Sequence, residues 1–312
     1  MIDRRRFLAA GSLALLGACT RSAPSTSGAS AAAAEAGPLY RISLAEWSVN
    51  RRIHRREEPA LDHLDFPAYA RSLGIDAVEY VSTLFADRST AGDYVADLRR
   101  RCDGEGVRSL LIMVDAEGAL GDPDEAGRLR AVANHHRWLD AAKALGCHAI
   151  RVNAQSSGAR DEQARLAADG LHRLASDAAS RDLSVIVENH GGLSSDGSWL
   201  AEVMRLADHP GVGTLPDFGN FNLGDGKTYD RYRGTEELMP FARAVSAKSY
   251  AFDEAGNETT IDYERMMRIV VDAGYRGHVG IEFEGGGSSE AGILATKRLL
   301  ESVRTKLEAG RG

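Results

Sequence analysis

The run "VIVENHGG" (185–192) carries three β-branched residues straight into Glu188, Asn189 and His190, followed by two glycines. A strand that served packing alone would end in turn formers. A carboxylate, an amide and an imidazole at its end can instead hold a cation, move a proton or grip a hydroxyl. The pattern recurs: "LPDFGNF" closes an apolar run with Asp217 and Asn220, "SAKSY" presents Lys248 and Tyr250, and "GIEFEG" presents Glu282 and Glu284. Earlier runs finish in Glu46 and Trp47, in Glu79 and Tyr80, in Asp115 and Glu117, and in Arg151 and Asn153.

Residues so distributed do chemistry together only if the scaffold gathers the ends of many strands. From Tyr40 onward, β-branched runs alternate with helical segments: "YRISLAEW", "IDAVEYV", "VRSLLIMV", "HAIRVNA", "LSVIVEN", "GVGTLPDF", "AVSAKSYAF" and "HVGIEFEG". Eight parallel strands, each followed by a helix, close an α/β (β/α)8 TIM barrel whose strand C-termini share one mouth. Helices are expected over 66–73, 94–105, 124–145, 161–181, 198–207, 263–273 and 290–307. Several stop at a glycine (Gly74, Gly106, Gly146, Gly274) suited to a left-handed cap. "LGDGKTYDRYRGTEELMP" reads as a long loop before a short sixth helix. The competing architecture, an open doubly wound sheet, lacks its Gly-rich phosphate loop after the first strand.

A mouth ringed by carboxylates repels itself unless a cation or basic side chains offset the charge. Glu188, Asp217 and Glu282 each close an apolar strand and are the foremost functional candidates. Glu79, Asp115, Glu117 and Glu284 are equally readable as solvated or paired loop residues. His190 is read as a ligand or catalyst, or as a supporting hydrogen-bond donor, and Arg151 with Asn153 as a hydroxyl-recognition pair or as structural residues. His135 and His136 fall in a long amphipathic helix and suit packing or surface roles. Cys102 and Cys147 are expected as two buried small side chains, with a disulfide as the alternative.

With Glu ending strand five, Asp ending strand six and Glu ending strand eight, the chain resembles the xylose isomerase-like TIM barrel superfamily, the sugar phosphate isomerase/epimerase group. The resemblance covers about residues 39–307, and "VENHGG", "PDFGNF", "AKSYAFD" and "GYRGHVGIEFEG" are its most specific pieces. It implies a divalent ion held by Glu188, Asp217 and Glu282, together with a strand-seven histidine. This chain has Ser246-Ala247-Lys248-Ser249 there instead. An all-oxygen site favours Mn2+ or Mg2+ over Zn2+, with Lys248 supplying positive charge at an enolate or His190 entering the metal shell. The implied chemistry is proton abstraction beside a carbonyl, with Glu188 and Glu282 as base and acid. Asp217 is then a pure ligand, Lys248 or His190 the electrophile, and Trp47 an apolar wall for a sugar that Glu79, Arg151, Asn153 and Asn220 also contact.

Residues 1–37 are expected to stand apart from a single barrel domain over 38–312. Arg4, Arg5 and Arg6 precede an apolar run too short to span a bilayer, the pattern of a twin-arginine signal and hence of a periplasmic protein. Lipid attachment at Cys19 in "LLGAC", the one route to a membrane, and cleavage near "ASAAAAEAG" are both open. Residues 21–37 read as a disordered tether. Removing this segment, with Arg4, Arg5, Arg6 and Arg21 against Asp3 and Glu35, takes the net charge from −7 to about −9, which excludes nucleic acid as a partner. No phosphate-cradling loop is present. The expected partner is a small unphosphorylated sugar or keto-sugar, and the expected activity is that of an isomerase or epimerase. A lyase or hydratase on a 3-keto-glycoside and a non-catalytic sugar-binding barrel are the alternatives, and nothing in the sequence sets an oligomeric state.

Overall fold

The computed structural model describes residues 37–310 except Thr90. The arginines of the leader, Cys19 and the tether as far as Ala36 lie outside the described residues. The chain divides after Gly37, and the barrel is built from the unit beginning at Pro38.

Eight strands carry the architecture: β1 (Arg41–Ala45), β2 (Ala77–Val81), β3 (Arg108–Met113), β4 (Ala149–Val152), β5 (Ser184–Glu188), β6 (Val212–Leu215), β7 (Val245–Ser249) and β8 (His278–Phe283). They form one parallel sheet in the order β6-β5-β4-β3-β2-β1-β8-β7. The seam between β6 and β7 is closed by parallel bridges, Thr214 with Ala242 and Asp217 with Ser246. Ser246 donates its N–H to the Pro216 carbonyl (2.9 Å), and Phe218 donates to the Ser246 carbonyl (3.1 Å). The barrel therefore joins at the point where two of its site residues sit side by side.

The strands are apolar on both faces because both are covered, as a parallel sheet requires. Ala45, Val81, Leu111, Met113, Ala149, Ile186 and Leu215 fill the interior. The outward residues, among them Leu44, Val78, Ile112 and Val187, pack under the helices against Phe66, Trp138 and Trp199. The helices are α1 (Phe66–Ser72), α2 (Gly92–Glu105), α3 (Glu125–Leu145), α4 (Arg160–Ala179), α5 (Gly197–Ala207), α6 (Arg231–Leu238), α7 (Tyr263–Asp272) and α8 (Ser289–Ala309). Aspartates start four of them: the side chains of Asp124, Asp196, Asp230 and Asp262 accept first-turn N–H groups that have no partner within the helix. Gly106 (φ 64°) and Gly146 (φ 78°) end α2 and α3 in the expected left-handed conformation. The long connection before α6 folds in part into a small hairpin, Asn222–Gly224 against Lys227–Thr228. Among the described residues no helix is long and apolar enough to cross a membrane.

One helix position shows how tightly this outer layer sits. Gly170 lies inside α4, where alanine would favour the helix by about 1 kcal/mol. A Cβ there would stand 1.9 Å from the Leu120 carbonyl oxygen, so the glycine is what lets α4 approach the loop after β3. Overpacking costs about 1–3 kcal/mol, and a backbone carbonyl has little room to yield. Gly170→Ala is therefore expected to lower the melting temperature despite its higher helix propensity, as thermal unfolding followed by circular dichroism will measure.

Candidate active site

Side chains two apart on a strand share a face. Lys248 thus stands one step above Ser246 on β7, and Glu282 one step above Gly280 on β8, with Glu282 paired in register to Lys248 and Gly280 to Ser246. Across the β6/β7 seam, Asp217 sits beside Ser246. Three carboxylates meet in this way: Glu188, Asp217 and Glu282 each place an oxygen within 4.8 Å of the others, and all three are buried.

Every oxygen of the cluster but one has a hydrogen-bond partner. Asp217 Oδ1 accepts the backbone N–H groups of Gly219 and Asn220, both at 2.8 Å, while its Oδ2 accepts the Ser246 hydroxyl at 2.6 Å. The same hydroxyl lies 2.9 Å from Glu282 Oε2, so its single proton is shared between two carboxylates. Lys248 Nζ donates to Glu282 Oε1 at 2.8 Å and stands 3.4 Å from Glu284 and 3.8 Å from Asp217. Glu188 Oε1 accepts the Asn220 side-chain amide at 2.8 Å. Glu188 Oε2 lies 2.5 Å from the Arg151 guanidinium without hydrogen-bond alignment and is the unsatisfied oxygen.

The electrostatics follow from burial and crowding. Burial pushes Glu188 up to about 7, opposed by Arg151 and reinforced by repulsion from Glu282. Burial likewise lifts Asp217 to about 7 against the pull of Lys248. For Glu282, burial is outweighed by the Lys248 ammonium, with Arg151 and the Ser246 hydroxyl adding to it, and its pKa falls below the usual range. Burial alone would discharge Lys248, but Asp217, Glu282 and Glu188 hold its ammonium charged well past the ordinary lysine range.

Above the triad opens a cavity of about 140 Å³. Trp47, Arg151, His190 and Glu282 line it, as do Asp115 and Glu284. The Trp47 indole donates to Glu284 (2.6 Å), Arg151 reaches from Glu188 to Asp115 (2.5 Å), and Asn153 also donates to Asp115 (3.0 Å).

Four strand-end residues take places that the sequence does not specify. Glu79 does not line the mouth: it lies one pleat below Val81, buried at 1% exposure, with Oε1 held by the Ser43 hydroxyl at 2.6 Å and its pKa raised by burial to about 7. Asn220 uses its amide on Glu188 and its N–H on Asp217, so it organises the carboxylates. His190 stays outside the carboxylate triad, its ring at the exposed rim. Glu46, too, turns away from the mouth. It accepts the Val81 N–H and faces His63 at 3.2 Å in a buried pocket. Cys102 and Cys147 are free and buried, and His135 and His136 bond to Ala131 and Asp177 within the helical layer. The sequence reading missed Asn189, fully buried, whose side chain accepts the Asp217 N–H (2.8 Å) and donates to the Asp217 and Asn220 carbonyls. Its signal is the amide between Glu188 and His190 in "VENHGG", a strand-end polar group with no role assigned by the sequence.

A family model described as "Xylose isomerase-like TIM barrel" matches residues 67–303. The chain belongs to this family. Within it, the 3-keto-D-glucoside 4-epimerase from E. coli superposes with a TM-score of 0.61 at 18% identity, covering 85% of this chain and 99% of that one. A xylose isomerase-like TIM barrel protein from Mycobacterium smegmatis, solved in complex with magnesium, gives 0.64 at 16% identity, covering 85% and 97%. Identities this low establish the fold alone. The C-glycoside deglycosidase alpha subunit of Arthrobacter globiformis is 41% identical over 56 residues, which is 18% of this chain and only 16% of that relative's own length.

The donor set of this xylose isomerase-like barrel fits a hard divalent cation. Three buried carboxylates converge, the Ser246 hydroxyl lies between two of them, and Glu188 Oε2 lacks a hydrogen bond that an ion would replace. Without a cation the raised pKa values mean that protons occupy the cluster near neutrality. A carboxyl whose folded pKa is raised binds its proton more tightly in the native state, so its stabilising contribution is lost as pH climbs from about 4 to about 7. A divalent ion competes with those protons. Millimolar Mn2+ is therefore expected to raise the melting temperature more at pH 8 than at pH 6, and Asp217→Asn to abolish most of the increment. Equal increments at both pH values would show that the ion binds elsewhere.

Proposed function

We propose that the protein is a sugar isomerase or epimerase that removes and returns a proton beside the carbonyl of an unphosphorylated sugar or keto-sugar. The observation that carries this reading is the pair of buried carboxylates, Glu282 lining the mouth cavity and Glu188 directly behind its Arg151 wall, set to different proton affinities by Arg151 and Lys248. A base works best with a pKa near the operating pH, and Glu188 at about 7 meets that condition. Glu188 takes the proton, and the Arg151 guanidinium beside it orients the carboxylate. Lys248 stabilises the enediolate oxygen that develops. Glu188, protonated by the abstraction, returns the proton to the substrate carbon, while Glu282 stays ionised and holds the Lys248 ammonium in place. Trp47 supplies a flat wall for one sugar face, held in place by Glu284. A divalent ion on Glu188, Asp217 and Glu282, with Mn2+ or Mg2+ favoured by the oxygen donors, would polarise the carbonyl and acidify the adjacent C–H.

Export to the periplasm, inferred from Arg4–Arg6, belongs to this proposal and supports an unphosphorylated substrate. A small soluble sugar fits the acidic chain better than a nucleic acid does. A second reading, a lyase on a 3-keto-glycoside, is favoured by the segment shared with the deglycosidase subunit. It uses the same abstraction but expels the neighbouring oxygen.

Lys248 separates catalysis from charge balance. Lys248→Met is expected to lower kcat on 3-keto-D-glucose or D-fructose by about 10²-fold or more, with substrate still bound. Deuterium uptake from D2O at the abstracted position should fall in parallel, as NMR will read. A stable variant with normal turnover and normal exchange would assign Lys248 to charge balance.

A further inference from the structure

A second cavity, of about 300 Å³, adjoins the mouth at the ends of β4 and β5. Asn153, Gln155, Ser156, Gln163, His190 and Ser194 line it, with the Gly191–Gly192 backbone between them. His190 belongs to both cavities and forms their common wall. The side cavity, at about 300 Å³, is the larger of the two, the mouth measuring about 140 Å³. A ring seated in the mouth would have this second space beside it, across His190, for an attached ring.

The chemistry of the side cavity fits such a ring. Asn153 lines this space with its amide nitrogen engaged by Asp115 and its Oδ1 left without a hydrogen-bond partner just beneath the surface. Gln163 anchors its own amide nitrogen on the Gly158 carbonyl (2.8 Å), which turns its oxygen into a second fixed acceptor. The backbone N–H of His190 is tied to Ser194 Oγ (2.9 Å), which fixes the loop and leaves the ring at the rim. Amide acceptors held in place are what sugar hydroxyls seek. Leu193 and Ala154 are the apolar side chains present, so an aromatic ring finds little to stack on.

We propose that this side cavity is a subsite for a second hydroxylated ring and that the substrate is a two-ring glycoside, its link passing His190. The proposal rests on reading the mouth as a sugar site, and the test separates the two. Calorimetric titration of the full chain with cellobiose, D-glucose and phenyl β-D-glucoside probes binding without chemistry. Cellobiose is expected to bind at least tenfold tighter than glucose and tighter than the phenyl glucoside. Gln163→Trp, which fills the cavity, should collapse the cellobiose-to-glucose ratio towards one, and Gln155→Ala should reduce it if the bulkier variant does not fold. A ratio near one in the unaltered protein overturns the subsite, and phenyl glucoside binding tighter than cellobiose overturns its hydroxylated occupant. Turnover of methyl 3-keto-β-D-glucoside tests the mouth separately: no turnover with the binding ratio intact would sink the isomerase reading and leave the subsite standing.

Discussion

The structure turns on one electrostatic problem, three carboxylates buried within hydrogen-bond range of a common point. Removing a single carboxylate from water costs several kcal/mol, and like charges a few ångströms apart add to that. The fold meets the cost locally. Arg151 faces Glu188, Lys248 faces Glu282 and Asp217, two backbone N–H groups cap Asp217, and one hydroxyl is divided between two acceptors. Two basic groups against five carboxylates in and around the mouth leave a deficit of positive charge, so either protons or a cation must complete the balance.

That deficit sets the proton affinities on which a catalyst of this kind depends. Glu188 and Glu282 are the same residue type in the same cluster, yet burial beside a misaligned guanidinium raises one while a well-formed ammonium contact lowers the other. Environments that push two carboxyls apart let one exchange a proton near neutrality while the other stays ionised. Beneath them, Glu79 takes no part in the mouth but adds a further carboxyl to the same interior, where burial keeps it protonated up to about 7. The interior of this barrel thus holds buried carboxyls beside its apolar residues Ala45, Val81, Leu111, Met113, Ala149, Ile186 and Leu215.

The strand-seven substitution is a rearrangement of charge. Ser246 occupies the pleat where the family resemblance leads one to expect an imidazole, and its small hydroxyl fits between Asp217 and Glu282 at the seam of the barrel. The room so created is taken one pleat higher by Lys248, whose stem is packed to 1% exposure. Gly219 makes space for that stem, since a Cβ there would stand 2.6 Å from Lys248 Cγ. The result is a fixed positive charge, the Lys248 ammonium, beside Asp217 and Glu282.

The sequence by itself determined the strand–helix alternation and the strand ends that carry polar groups. Both are local: β-branched runs, glycine caps and aspartate N-caps are set by neighbours a few residues away. It also determined that Lys248 shares a face with Ser246, because the two-residue period of a strand is a property of the backbone. Tertiary structure alone decided how high each residue sits. Glu79 and Glu282 both follow a residue paired with Leu44, but the Glu79 carboxylate turns down to the Ser43 hydroxyl while that of Glu282 meets Ser246 and Lys248. It decided as well that the Asn220 amide is committed to Glu188, that Asn189 braces Asp217 and that Glu46 faces His63, since these contacts join residues on different strands and loops. No spacing within one segment encodes a distance between two, and the side cavity at His190 exists only where the loops after β4 and β5 are folded against each other.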